Sequence, residues 1–222
     1  MLKVPLDKNN ISGLNILCLG AHSDDIEIGC GGTVLTLIEN FENPAFHWVV
    51  FSSIQPRAQE ARESANRFLK HAASKKVTVN DFRDGFFPYI GKDIKEFFEN
   101  LKQEISPDII FTHYRHDFHQ DHRLICELTW NTFRDHLILE YEIPKYDGDF
   151  GSPNLYVHLS EEISRKKIHH IVDTFRSQTE NQWFTEDTFL SLMRLRGVES
   201  NSPSKYAEGF YCRKMVFDFE GS

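Results

Sequence analysis

Short apolar runs alternate with longer segments of helical periodicity along the chain. Runs of strand length occupy residues 14–19, 46–53, 77–79, 108–112, 137–143, 154–159 and 210–219. Apolar residues recur at helical spacing in 32–40, 56–73, 91–105, 121–135, 161–176 and 186–196. Strands that alternate with helices of about 10–15 residues predict parallel βαβ units. We therefore predict an α/β, Rossmann-like fold: a mostly parallel sheet with helices on both faces, in a single domain over residues 1–222.

Composition narrows the class of protein. The chain has 222 residues, 40% of them hydrophobic, which suits one large domain with its own core. A net charge of −8 argues against a nucleic-acid partner, which would require a basic surface. No apolar run approaches the length of a membrane span, and the first residues lack the apolar core of a signal peptide. Four scattered cysteines predict reduced thiols and a cytoplasmic location. A homo-oligomer is compatible with this composition.

The first polar cluster follows the run at residues 14–19 directly. It begins after Gly20 and contains His22, Ser23, Asp24, Asp25 and Glu27. In open α/β sheets, ligands bind outside the carboxyl ends of the strands. Imidazole and carboxylate are ordinary zinc ligands, and a catalytic zinc has three protein ligands, so this turn would supply two of them. The alternative is that Asp24 or Asp25 only caps the following helix.

A second cluster, HQDH at residues 119–122, lies shortly after the run at 108–112. Right-handed crossovers bring the ends of parallel strands to one edge of the sheet, so we expect the two clusters to meet. One of these histidines would complete the metal site, and the other would serve as an acid or an electrostatic stabiliser. Taken alone, the segment would be interpreted as a polar loop in which Asp121 caps a helix.

The two clusters together resemble a known family. The stretch AHSDDIEIGCGG (residues 21–32) resembles the AHPDDxExGxGG signature of the LmbE-like/PIG-L family of zinc-dependent N-deacetylases, and HQDH matches its HxDH motif. An RxxE at Arg57–Glu60 and a DG at Asp84–Gly85 look like weaker family features. Ser23 stands where proline is usual in the family, and neither residue supplies a ligand.

The resemblance implies a role for each motif residue. Removal of an N-acetyl group from an amino sugar or sugar conjugate would use one zinc ion per chain, held by His22, Asp25 and His122. Asp24 would be the general base, and His119 would stabilise the oxyanion or protonate the leaving amine. Asp121 would orient His119, and because a neighbouring carboxylate favours a protonated imidazole, we expect a raised pKa for His119.

Other residues are assigned less directly. Arg57 and Asp84 are predicted substrate contacts on the same rim, and each is equally plausible in a surface ion pair. Glu27 would orient His22 or cap the helix. Three further residues are expected near the site as parts of its rim: His113, His116 and Asp117.

Two alternative functions remain open at this point. One is a deacetylase of another small amide, such as a thiol-conjugate precursor or an antibiotic. The other is a non-catalytic sugar- or nucleotide-binding module, suggested by the glycines at 29–32, although no GxGxxG stands there. Metal content discriminates between them, because a binding module has no need of zinc. In every case the expected partner is a small molecule.

Overall fold

Seven strands form one sheet in the computed structural model, which describes residue 3 and residues 13–216. The order across the sheet is β3-β2-β1-β4-β5-β7-β6. The strands are β1 Asn15–Gly20, β2 Ala45–Val50, β3 Ser74–Val79, β4 Ile109–His113, β5 Leu137–Tyr141, β6 Leu155–Leu159 and β7 Tyr206–Cys212. The helices are α1 Asp25–Asn40, α2 Arg57–Phe68, α3 Gly91–Glu104, α4 Gln120–Thr132, α5 Glu161–Thr174 and α6 Glu186–Glu199.

The predicted mostly parallel α/β sheet is confirmed. Strand β1 pairs in parallel with β2 and β4, and the parallel pairing continues outward from these to β3 and β5. Only β7 runs antiparallel to its neighbours, β5 and β6. The carboxyl ends of β1 to β5 consequently share one edge of the sheet, and the polar clusters that follow β1 and β4 are brought side by side.

Helices cover both faces of the sheet, also as predicted. On one face, Ile16 and Cys18 of β1 contribute to a buried cluster with α1, α2, α5 and α6. On the other face, Leu17 and Leu19 belong to a second cluster with α3 and α4. Successive strand residues point to opposite faces, so a strand covered on both sides is a continuous apolar run. No helix in the described part of the chain is both long and apolar enough to cross a membrane.

Helix α1 begins at Asp25, and the prediction of a start at residue 32 was wrong. The glycines therefore lie inside the helix and not ahead of it. A Cβ atom at Gly29 would overlap the ring of Tyr141, and one at Gly31 would meet Phe68. The stabilisation gained by packing α1 closely against its neighbours outweighs the usual free-energy cost of about 1 kcal/mol for a glycine within a helix.

The last strand is also shorter than predicted. We predicted the last strand at 210–219, whereas β7 ends at Cys212 and begins four residues earlier than predicted, at Tyr206. Residues 217–219 of that prediction lie outside the described residues, as does most of the lead-in at 1–13. The earlier start follows from pairing, because Tyr206 and Ala207 are opposite the end of β6.

Candidate metal and catalytic site

The two polar clusters meet at the carboxyl ends of β1 and β4. His22 lies two residues beyond the end of β1, and Asp25 is the first residue of α1. Strand β4 ends at His113, and α4 then places His122 in its first turn. Because β1 and β4 are paired neighbours, the turn before α1 and the start of α4 face each other across a short gap.

The three predicted metal ligands converge there. His22 Nδ1 lies 3.2 Å from His122 Nε2 and 3.4 Å from Asp25 Oδ2. His122 Nε2 is 3.6 Å from Asp25 Oδ1, and all three side chains are buried. His119 has a ring nitrogen within 4.8 Å of ligand atoms of His22 and His122, and His113 has one within 4.8 Å of ligand atoms of Asp25 and His122. Two imidazole nitrogens and a carboxylate within 3.6 Å of one another form a donor set suited to a divalent cation.

The protonation of His122 supports the fit to a cation. Its Nδ1 lies 2.9 Å from Asp117 Oδ2, and because a carboxylate only accepts, Nδ1 must carry the hydrogen. Burial and the neighbouring His113 lower the pKa of His122 to about 3, so the ring is neutral. Its Nε2 lone pair therefore faces the carboxylate of Asp25. A cation between these two acceptors would remove the repulsion between them.

The electrostatic environment of His22 also favours a bound cation. Burial lowers the pKa of His22, but its hydrogen bonds to Asp121, Asp25 and Asp84 outweigh burial and raise it well above the ordinary value. Three carboxylates around one imidazole favour a positive charge at this position. A bound divalent cation is stabilised by the same carboxylates.

The carboxylate of Asp24 is buried and has one oxygen paired and one unpaired among the described residues. One oxygen, Oδ1, accepts a hydrogen bond from Arg57 Nη2 at 3.2 Å. The other, Oδ2, is buried with no hydrogen-bond partner in the described residues. Asp24 occupies the N-cap position of α1 without a side-chain capping bond, so it is not the cap considered from sequence. Burial raises the pKa of Asp24 to about 6 against the influence of Arg57, which suits proton transfer near neutral pH.

His119 differs from expectation in its protonation. Burial and the nearby His22 lower its pKa, and Asp121 does not reverse this effect, so the expected raised pKa was wrong. His119 Nδ1 accepts from the backbone N–H of Asp121 at 3.3 Å, which leaves the hydrogen on Nε2. Its ring lies edge-on to that of His22, with centroids 4.8 Å apart. His119 is therefore a neutral hydrogen-bond donor next to the donor set.

The carboxylate of Asp121 serves the neighbouring loop and not the ring of His119. It accepts hydrogen bonds from Gly85 N at 2.7 Å and from Phe87 N at 3.1 Å. Asp121 Oδ2 also lies 3.4 Å from His22 Nε2. The contact between Asp121 and His119 is made by the backbone, so the carboxylate orients His22 and the 84–87 loop.

The two predicted substrate contacts both lie at the site and both contact its charged residues. Arg57, at the start of α2, pairs with Asp24, as described above. Asp84 Oδ1 lies 3.0 Å from His22 Nε2, while 60% of its side chain remains exposed. Glu27 takes neither role considered for it, because both its carboxylate oxygens are buried without a hydrogen-bond partner in the described residues.

Comparison with known proteins identifies the family. The model of the family described as "PIG-L: GlcNAc-PI de-N-acetylase" matches residues 17–133, a segment that holds both motifs. This chain belongs to the PIG-L family.

Solved structures with the fold of this PIG-L family chain include proteins of different activity. The N,N'-diacetylchitobiose deacetylase from Pyrococcus horikoshii is 21% identical, with a TM-score of 0.65 over 89% of this chain and 83% of that one. The conserved protein TT1542 from Thermus thermophilus is 18% identical, with a TM-score of 0.73 over 94% and 99%. GalB, the 4-carboxy-2-hydroxymuconate hydratase from Pseudomonas putida, is 16% identical, with a TM-score of 0.73 over 94% and 100%. At these identities the likeness shows a shared fold, which does not by itself specify the reaction.

Three residues of this PIG-L family chain support the site from positions that the sequence did not predict. His113 and Asp117, expected on the rim, are fully buried beneath it. The His113 ring stacks on that of His122 with centroids 3.9 Å apart, and its Nε2 lies 3.2 Å from Asp25 Oδ2. Lys145, just after β5, places Nζ 2.9 Å from Asp117 Oδ2. A lone lysine in a loop carries no sequence signal for this role, whereas His116 is exposed as expected.

Proposed function

We propose that this chain is a zinc-dependent hydrolase that removes an N-acetyl group from an amino sugar or sugar conjugate. Membership of the PIG-L family supports deacetylation. The observation that carries the proposal is the convergence of His22, Asp25 and His122 beside an Asp24 carboxylate oxygen that has no partner among the described residues. A base with a free oxygen next to a ligand set is the arrangement that hydrolysis of an unactivated amide requires.

Each residue of the site then has a chemical task. His22, Asp25 and His122 would hold a divalent ion, which would supply Lewis acidity and lower the pKa of the attacking water. Asp24 accepts the proton of the attacking water through its free oxygen, while Arg57 holds the carboxylate in place. His119 donates from Nε2 to the oxygen that becomes negative as the carbonyl carbon turns tetrahedral. Asp24 then returns its proton to the leaving amine, and acetate and a free amine are released.

The metal assignment is tested by elemental analysis of the purified protein and of a His122→Ala variant. We expect about one zinc per chain in the parent protein and a strong reduction in the variant, because one of three ligands is lost. Unchanged zinc occupancy and affinity in the variant would refute the ligand set. A parent protein without metal would favour the binding module.

The reaction is tested by screening acetate release from N-acetylated sugars, nucleotide sugars, glycosyl conjugates and small acylated amides. Asp24→Asn is the matched control, because it keeps the size of the side chain and removes the basic oxygen. We expect it to retain metal and fold while losing about 10²-fold or more in rate. Wild-type turnover by this variant would exclude Asp24 as the base.

A cytoplasmic location is part of the same proposal. It is supported by the four cysteines, which are free and buried or half-buried in the described part of the chain.

A further inference from the structure

An open basic groove lies beside helix α4, away from the candidate metal site. Its volume is about 630 Å³, and it is lined by Arg115, Glu127, Trp130, Asn131, Arg134 and Lys214. Glu127, Trp130 and Asn131 share one face of α4, because residues three and four positions apart are neighbours on a helix. Trp130 lies eight residues after His122, which is about 12 Å along the helix axis. The groove is therefore a surface separate from the donor set at the start of α4.

The buried carboxylate of Glu140 holds three parts of the groove together. It accepts hydrogen bonds from Trp130 Nε1 at 2.7 Å and from the backbone N–H of Arg115 at 2.9 Å. Arg213, next to Lys214 in the chain, donates from Nε to the same carboxylate at 2.5 Å. Glu140 is fully buried, whereas the residues that it binds reach the surface. One buried acid therefore fixes the loop after β4, helix α4 and the segment after β7 relative to one another.

The charge of the groove is positive. Within the described part of the chain, the exposed side chains of Arg115, Arg134 and Lys214 form no ion pair with a carboxylate. Glu127 is the one carboxylate among the lining residues, so three cations against one carboxylate leave a net charge of +2. The whole chain carries a net charge of −8. Unpaired cations collected in one groove of an acidic protein create a local field that attracts an anion.

We propose that this groove binds a phosphate monoester of a hydroxylated small molecule, such as a sugar phosphate or a nucleoside monophosphate. Near neutral pH a phosphate monoester carries about two negative charges, which matches the net charge of the lining. Planar guanidinium groups, such as those of Arg115 and Arg134, donate paired hydrogen bonds to phosphate oxygens. The inference is independent of the proposed deacetylase reaction, because it uses none of the residues assigned to that reaction.

The volume and the other lining residues favour an ester over inorganic phosphate. Pockets for organic ligands typically measure about 300–1000 Å³, and the groove lies within that range. Asn131 offers an amide donor and an amide acceptor, and Glu127 offers two acceptor oxygens, so both suit the hydroxyl groups of a ligand. Glu127 would also repel a second phosphate group, which favours a monoester over a polyphosphate.

Trp130 provides a signal for occupancy of the groove. Lys214 Nζ and Arg213 Cζ lie 5.5 Å and 5.6 Å from the centroid of its ring, so an anion that attracts these cations changes the surroundings of the indole. Of the other two tryptophans, Trp48 is fully buried, and Trp183 packs against the core on the other face of the sheet. Indole N–H resonances in ¹⁵N NMR spectra therefore distinguish the groove from other sites, and Trp130→Phe identifies the resonance.

The test titrates the protein with glucose 6-phosphate, AMP and inorganic phosphate, and follows the Trp130 resonance and the heat of binding. Arg115→Gln and Arg134→Gln each remove one charge from the groove, and Lys70→Gln removes an exposed charge just after α2, on the other face of the sheet. We expect at least one ester to shift the resonance and to bind more tightly than inorganic phosphate. Its Kd should rise about 10-fold in each groove variant and stay unchanged in the control. Asn131→Ala should reduce the preference for the ester over inorganic phosphate.

The two esters distinguish the source of the phosphate group, because tighter binding of AMP indicates a nucleotide and tighter binding of glucose 6-phosphate indicates a sugar phosphate. Three results would overturn the inference. One is a Trp130 resonance that none of the compounds shifts, which includes phosphate binding confined to the candidate metal site. Another is equal affinity for inorganic phosphate and both esters, which would reject the ester. The third is equal weakening in Lys70→Gln and the groove variants, which would show attraction to net charge without a site.

Discussion

Replacing Arg57 with glutamine is expected to shift the ionisation of Asp24 to higher pH. Asp24 Oδ1 and Arg57 Nη2 are 3.2 Å apart. Burial raises the pKa of Asp24 to about 6, and Arg57 exerts the strongest influence in the opposite direction. Without the guanidinium, the neutral carboxyl is favoured further, so the ionised base exists only at a higher pH. The acidic limb of the pH profile of kcat/KM should therefore move to higher pH.

The size of the shift follows from the separation and exposure of the pair. Two unit charges at this distance attract by about 1.3 kcal/mol in water and by about 5 kcal/mol at an effective dielectric constant of 20. One pKa unit corresponds to about 1.4 kcal/mol. Because the Arg57 side chain is 29% exposed, solvent screening places the effect toward the lower limit. We therefore expect an upward shift of about one to two units.

Two measurements check the prediction, the pH profile of acetate release and an NMR titration of the Asp24 carboxyl carbon. Arg57→Lys keeps the charge and should keep most of the effect. Arg67→Gln removes another arginine from α2, whose side chain forms an exposed pair with Asp173 at 3.9 Å. An increase in KM with an unchanged acidic limb and an unchanged carboxyl titration would refute the electrostatic reasoning. Arg57 would then be the substrate contact expected from sequence.

Two further predictions concern residues behind the site. Lys145→Met should weaken zinc binding about 10-fold or more, because Lys145 holds the Asp117 carboxylate that orients His122, the proposed ligand. A calorimetric zinc titration beside Lys145→Arg checks this, and equal affinities for all three proteins would contradict it. Gly29→Ala should lower the free energy of unfolding by about 1–3 kcal/mol, because the added Cβ overlaps the Tyr141 ring. Urea unfolding measures it against Gly91→Ala, where the nearest heavy atom is 3.9 Å away; equal losses in both variants would show that packing at Gly29 is not the cause.

The chain's local pattern determined the elements and the two motifs. The apolar run at residues 14–19 corresponds to β1 with a shift of one residue. A strand buried on both faces is a continuous apolar run, so it can be recognised from its own residues alone. His22 and Asp25 lie within one turn of each other, and His119 and His122 lie at the start of one helix. When residues that act together lie within so short a segment, the spacing between them can be recognised in the sequence. The resemblance to the PIG-L family rested on those spacings.

Only the tertiary structure determined which residues hold the site in place and how its side chains are protonated. Lys145 and Asp117 meet because β4 and β5 are neighbours in the sheet, a choice of pairing that is not encoded in either segment alone. The lowered pKa of His119 depends on burial and on His22, which lies almost 100 residues earlier in the chain. Gly29 is required inside α1 because Tyr141 of β5 packs against it. Burial, long-range charge and close packing arise only when distant segments come together, so the sequence alone carried no local signal for them.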